Sequence, residues 1–203
     1  MTLVTEIRPL HVADTHGEGA TGPVYAYALF LDDGLILVDT GMIDRHPEIE
    51  AEYGPTLRPL PEHGLPLDEV TRVINTHLHF DHCGGNRLFP GVPISVQRSE
   101  REAAREPDYT IPEWVEFEGA AYDELEGPAE IVPGVRVLPT PGHTPGHQSV
   151  LVDTDDGLVV IGGEVAHTLE ELEGEQRLLD LQPARIWITH SHEPWEPRQA
   201  PRQ

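Results

Sequence analysis

Four short apolar runs in this chain each end in a polar loop that carries a histidine or a carboxylate, and this recurrence constrains the fold more than any other feature. Residues 72–75 lead into Thr76 and His77, 135–138 into Pro139 to His143, 158–161 into Gly162, Gly163 and Glu164, and 185–188 into Thr189 and His190. Runs of this length, rich in Val, Ile and Leu and bounded by Gly, Pro and Thr, predict strands. Strands that deliver such side chains just past their C-terminal ends predict one site at a common rim.

Two longer pieces read as β-hairpins: 28–38 with its turn at Asp33-Gly34, and 150–161 with its turn at Asp156-Gly157. Asp-Gly between apolar runs is a tight-turn signal, and the likeness of the two hairpins suggests two similar halves. Residues 94–97 predict a further strand. Ser99 and Glu102 have the spacing of a capping box, which would start a helix running to Arg105. Residues 67–71 predict another helical turn. The mixture argues for an α+β chain with two packed sheets covered by helices, not for a doubly wound parallel sheet. Residues 107–127 are acidic and irregular, with Tyr109, Trp114, Phe117 and Tyr122 as apolar anchors; they read either as a lid over the site or as a connector.

The densest chemistry lies between Thr76 and Gly85, where His77, His79, Asp81 and His82 crowd together. Side chains two apart on an extended backbone point the same way, so His77 and His79 can share one ion. The adjacent pair Asp81 and His82 can diverge and reach a second. Imidazole and carboxylate suit zinc, and the lack of a cysteine cluster argues against an iron–sulfur or structural zinc site. A solvated histidine tag would not sit between an apolar strand and a Gly-Gly turn. Cys83, the sole cysteine, reads as a small buried filler in preference to a ligand or nucleophile, and it excludes an internal disulfide.

The pattern of His77, His79, Asp81 and His82 resembles the signature of the metallo-β-lactamase superfamily, and Leu37 to Gly41 is similar to that family's early strand-loop element. The run Thr140 to Ser149, together with Asn75 to Asn86 and Val96 to Arg98, resembles the N-acyl homoserine lactonase branch. The similarity extends from Tyr25 to His190. It implies a four-layer αββα sandwich and two zinc ions per chain. One ion would be held by His77, His79 and His143, the other by Asp81, His82 and a final histidine: His190, or failing that His192. A water activated by the metals would attack a lactone carbonyl, with Asp81 carrying a proton to the leaving oxygen.

Two positions depart from the family. Glu164 stands where an aspartate usually bridges the metals, and it could bridge by recoiling its longer side chain. His167 stands where the lactonases tend to place a tyrosine against the substrate carbonyl, and an imidazole can donate the same hydrogen bond. The segment from Glu164 to His190 is also shorter than in many relatives. The implied substrate is a small ester or lactone, of the N-acyl homoserine lactone type first. The alternatives are another hydrolase of the same fold, acting on thioesters or β-lactams, or a metal-binding protein that has lost turnover.

The remaining expectations are quieter. Asp39 should hydrogen-bond a ligand histidine or nearby backbone. His147 should hold the metal loop, since Pro145 prevents a helical pairing with His143. His11, His16, His46 and His63 read as surface or structural residues, and Phe80, Trp187 and Trp195 as packing residues. A chain of 203 residues fits one domain over 1–203. No apolar run approaches the roughly 20 residues of a membrane span, and residues 1–10 lack the form of a secretory signal, so a cytoplasmic enzyme with no membrane role is expected. The formal charge of -23 disfavours nucleic acid and anionic lipid as partners. All thirteen basic residues are arginine, which bears on no chemistry here, and nothing in the sequence specifies an oligomeric state.

Overall fold

The computed structural model describes residues 4–17 and 20–197. The expectation of one domain over 1–203 therefore includes residues outside the described ones, as does part of the reading of residues 1–10. Among the described residues the strands are β1 (Val4–Gly17), β2 (Ala20–Leu31), β3 (Gly34–Val38), β4 (Thr56–Leu57), β5 (Val70–Ile74), β6 (Pro93–Gln97), β7 (Ala121–Leu125), β8 (Ala129–Val132), β9 (Val135–Pro139), β10 (Gln148–Thr154), β11 (Gly157–Ile161) and β12 (Arg185–Trp187). They form two mixed sheets, in the orders β4-β1-β2-β3-β5-β6-β7 and β12-β11-β10-β9-β8.

Side-chain alternation explains the layering. In β3, Leu35 and Leu37 join an apolar cluster with Ile49, Phe89 and Trp114 on the outer face of the first sheet. Ile36 and Val38 point the other way and meet Val150, Val152, Val159 and Ile161 of the second sheet. On the second sheet's outer face, Leu151 and Val160 pack with Leu172 and Leu178 from the helices Leu169–Leu172 and Gln176–Leu179. A strand buried on both faces needs a continuous apolar run, which is why residues 35–38 read Leu-Ile-Leu-Val. The result is the expected αββα sandwich. Trp187 and Trp195 are packing residues, the first against Tyr27 between the sheets and the second with Leu172 outside them. No helix among the described residues is long and apolar enough to cross a membrane.

The structure corrects several local expectations. Leu31 pairs with Gly34 and Thr154 with Gly157, so the two-residue turns are Asp32-Asp33 and Asp155-Asp156, each one residue earlier than expected. The Ser99 capping box does not form. The helix spans Arg98–Ala103, short of Arg105, and Gln97 occupies its N-cap position without a side-chain cap. Strand β6 runs straight into the helix there, and the Gln97 amide is committed to Gly127 and Gln148. At 67–71 only Leu67–Glu69 form a helical turn, and Val70 already starts β5. Residues 107–127 are not a simple lid: they contain the helix Pro112–Val115, and 121–125 add an edge strand parallel to β6.

Candidate metal centre

Strands β3, β5, β9, β11 and β12 all release their chains at the same rim, where Asp39, His77, His143, Glu164 and His190 follow within a few residues. Ligand sites at the carboxyl ends of strands are a general outcome of such sheets, since the loops there are free to vary while their roots stay fixed.

His77, His79 and His143 form the first group. The His79 Nδ1 lies 3.1 Å from His77 Nε2 and 3.0 Å from His143 Nε2, so three ring nitrogens converge on one point. Nitrogens facing one another need a proton or a cation between them. Burial holds His77 well below the ordinary imidazole range and also lowers His79 and His143, so protons are a poor answer here. A tetrahedral zinc with Zn–N of about 2.0–2.1 Å would space its ligands roughly 3.3 Å apart, close to what these rings already have. The donor set fits a cation.

The second group is charged. Asp81, Glu164 and His190 present ligand atoms within 4.8 Å of one another, as do His77, His82 and Glu164. The Glu164 carboxylate is directed both ways: Oε1 lies 2.7 Å from His82 Nε2 and 3.2 Å from His190 Nε2, while Oε2 lies 3.1 Å from His143 Nε2. Burial opposes charge on His82 and His190, yet Asp81 and Asp39 around the first, and Glu164 against the second, raise both. Burial likewise opposes ionisation of Glu164, but His190, His82 and His77 hold it well below the usual carboxylate range. Buried carboxylates thus draw positive charge inward, and a divalent ion can take the place of those protons.

Neighbouring groups set the tautomers. Asp39 accepts from His82 Nδ1–H at 2.7 Å, from the Thr76 hydroxyl at 2.7 Å and from the Thr76 N–H at 2.8 Å, which leaves His82 Nε2 free to face the site. It does so from the left-handed region at φ 59, which Asp tolerates better than most residues. His147 donates from Nδ1 to the Thr140 carbonyl and accepts the Glu164 N–H on Nε2 at 3.0 Å. Burial pushes it down to about 3, so it is a neutral strut holding the acid in place, as expected. Gly163 fits between them at φ +61, where a Cβ would meet His147 Nε2 at 2.7 Å.

His190 and His192 separate clearly. His190 is fixed by the Pro23 carbonyl at Nδ1 and turns Nε2 to Glu164, whereas His192 bonds the Tyr25 hydroxyl outside the cluster. His167 sits at the mouth with a side chain 46% exposed, its Nδ1 3.7 Å from Glu164. Cys83 is buried, its thiol pushed up to about 12 by burial and donating to the Leu78 carbonyl, as befits a filler. His11 pairs with Asp14, His46 lies edge-on to Trp114 and His63 bonds the Arg58 carbonyl, all away from the centre. His16, in β1, is also absent from the clustered donors.

A cleft of about 690 Å³ opens beside His79, walled by Ile49, Tyr53, Phe80, Tyr109 and Ile111. Phe80 packs on Tyr53 at 4.9 Å and also faces this cleft, a second role that its sequence position did not announce. Tyr109, from the segment read as lid or connector, packs on His79 at 4.8 Å. Sequence reasoning missed the hydrogen bond from Tyr109 to the buried Glu100, because an acid inside a short surface-like helix carries no local mark of burial.

The family model described as the metallo-beta-lactamase superfamily matches residues 19–197. An N-acyl homoserine lactonase of Bacillus sp is 38% identical over 178 residues, covering 79% of this chain and 71% of the relative. Another from Bacillus cereus is 39% identical over 170 residues, covering 75% and 68%. The structure of a B. thuringiensis AiiA mutant with N-decanoyl-L-homoserine bound at its active site matches with a TM-score of 0.81 at 29% identity, covering 94% of each chain. An N-acyl homoserine lactone hydrolase with N-hexanoyl-L-homoserine at its catalytic metal centre matches with a TM-score of 0.79 at 30% identity, again covering 94% of each.

Proposed function

Because the chain belongs to the metallo-β-lactamase superfamily and is a metal-dependent, lactonase-like hydrolase, we propose that it opens the ring of a small N-acyl homoserine-type lactone at a dinuclear zinc centre. The observation that carries this reading is the placement of Glu164, whose Oε2 faces His143 of the first group while Oε1 faces His82 and His190 of the second and lies 3.7 Å from His77 Nε2. In this assignment His77, His79 and His143 would hold one ion and Asp81, His82 and His190 the other, with the Glu164 carboxylate lying between the two groups. When bound, such a metal pair supplies Lewis-acid polarisation of a carbonyl and a water acidified to a pKa of about 7.

The chain's own groups supply the rest. Asp81, 5% exposed and beside His82, carries the proton to the leaving ring oxygen. His167, half-exposed at the mouth with its ring against His190 and His143, donates from that ring to the lactone carbonyl oxygen as charge develops there. The acyl arm lies in the cleft against Phe80, Tyr53 and Tyr109, in a lining that also includes Glu48, Glu52 and Asp108. A cytoplasmic location is part of this proposal.

Metal analysis of zinc-supplemented protein should find two equivalents per chain, and pH-stat titration should record ring opening across a panel of N-acyl homoserine lactones. No stoichiometric metal, or no lactone turnover above buffer, overturns the proposal. Faster hydrolysis of thioesters or β-lactams than of any lactone would reassign the substrate. Two bound metals without any hydrolysis would mark a binding protein that has lost turnover.

A further inference from the structure

Glu100 lies in the first turn of the helix Arg98–Ala103 with 0% of its surface exposed. Its carboxylate accepts four hydrogen bonds from neutral donors. Oε1 takes the Leu78 N–H at 2.8 Å and the Tyr109 hydroxyl; Oε2 takes the Thr144 hydroxyl at 2.7 Å and the Gly146 N–H at 3.2 Å. Among the described residues no cation pairs with it. A buried carboxylate is costly to desolvate, and without it four donors would lose their acceptor, so what Glu100 contributes is the convergence of those donors.

Those donors have a common address. Leu78 lies between His77 and His79, Thr144 and Gly146 follow His143, and the ring of Tyr109 packs on His79. Two loops from distant parts of the chain are thereby locked to one carboxylate, and all three histidines of the first group ride on them. The approach is close enough that a Cβ on Gly146 would collide with the Glu100 backbone nitrogen, so that loop takes a glycine. Of the second group, Asp81 and His82 share the Leu78 loop, but the His82 ring has its own anchor in Asp39; the Glu164 loop is held by His147, the residue after Gly146, and His190 by the Pro23 carbonyl.

We propose that Glu100 is the positioning residue of the three-histidine pocket: it sets the distances among His77, His79 and His143 and seats the Tyr109 wall, while the second group has added supports in Asp39, His147 and the Pro23 carbonyl. The proposal rests on the two-metal assignment above. Glu100→Gln keeps the shape but aims an amide N–H₂ at groups that themselves donate. Chelator competition should show one metal equivalent weakened by roughly tenfold or more, the range typical of groups that orient metal ligands, with the other equivalent weakened clearly less. The cobalt-substituted protein should show the larger change in absorption at the weakened site.

Wild-type affinity for both equivalents in a folded Glu100→Gln protein overturns the proposal and leaves the two-metal reading intact. Equal loss of both equivalents overturns it too, since a general structural role would act that way. Should Glu100→Gln fail to fold, Thr144→Val and Tyr109→Phe each remove one of the four bonds, and each should weaken the same equivalent by a smaller factor; no selective weakening in either overturns it. Wild-type protein that never binds two metals sinks the two-metal reading instead.

Discussion

The two groups of donors at the rim are held by different physics. His77, His79 and His143 are rings whose charged forms burial disfavours, and the loops that carry them are pinned through backbone and hydroxyl donors to one carboxylate. His82 and His190 sit among Asp39, Asp81 and Glu164 and are pulled toward the charged form. A cation entering the first group meets rings already prepared as neutral ligands. One entering the second must displace protons, so its binding depends more on pH. The difference teaches that ligand geometry and ligand charge are supplied by separate parts of this fold.

Glu164→Ala is the change expected to do most, because its carboxylate lies among ligands of both groups, His143 and His77 as well as His82 and His190. Both metal equivalents should weaken together and lactone hydrolysis should fall to background, as read by metal analysis and pH-stat. Retention of one tightly bound equivalent would show that the groups are more independent than their shared carboxylate implies. Asp39→Ala comes next and should divide them. It leaves buried His82 and Thr76 without their acceptor, at a cost of about 3–5 kcal/mol in urea unfolding, and should weaken the second equivalent by roughly 10–100-fold.

Titration of the metal-free protein sharpens the contrast without mutation. For His82 and His190 the folded value lies above the ordinary 6.5, so their stabilisation is complete below that pH and is lost as pH rises through the raised value. For His77, His79 and His143 the folded value lies below 6.5, so their stabilisation is present above it and is lost as pH falls toward the lowered values. Ring ¹⁵N shifts should therefore show His82 and His190 losing their protons at higher pH than the other three; a uniform titration of all five would erase the distinction. The smallest effect is expected from His192→Ala. That ring bonds Tyr25 away from the cluster, so metal content should be unchanged and stability should move by about 0.5 kcal/mol or less.

Much of this arrangement was legible in the linear chain. Strands were expected at 72–75, 94–97, 135–138, 158–161 and 185–188, and strands occur at Val70–Ile74, Pro93–Gln97, Val135–Pro139, Gly157–Ile161 and Arg185–Trp187. Apolar runs bounded by turn residues carry that information locally. Turn register was less legible: Asp32-Asp33-Gly34 and Asp155-Asp156-Gly157 each offer two adjacent frames, and strand pairing selects between them. The apparent capping box at Ser99 failed because its neighbour Gln97 was needed by the sheets. Local spacing cannot register a claim made on a side chain by Gln148, far along the chain.

By itself the sequence determined which chemistry was available: imidazoles and carboxylates at strand ends, a Gly-Gly turn behind them, and apolar alternation able to build two sheets. Tertiary structure alone decided which donors meet. It set His190 rather than His192 beside Glu164, aimed the two oxygens of that acid at different histidines, and buried Glu100 under donors from three loops. Residue type and spacing are local properties, whereas a hydrogen bond between residues 82 positions apart, such as His82 to Glu164, exists only once the packing of both sheets has brought the two loops together.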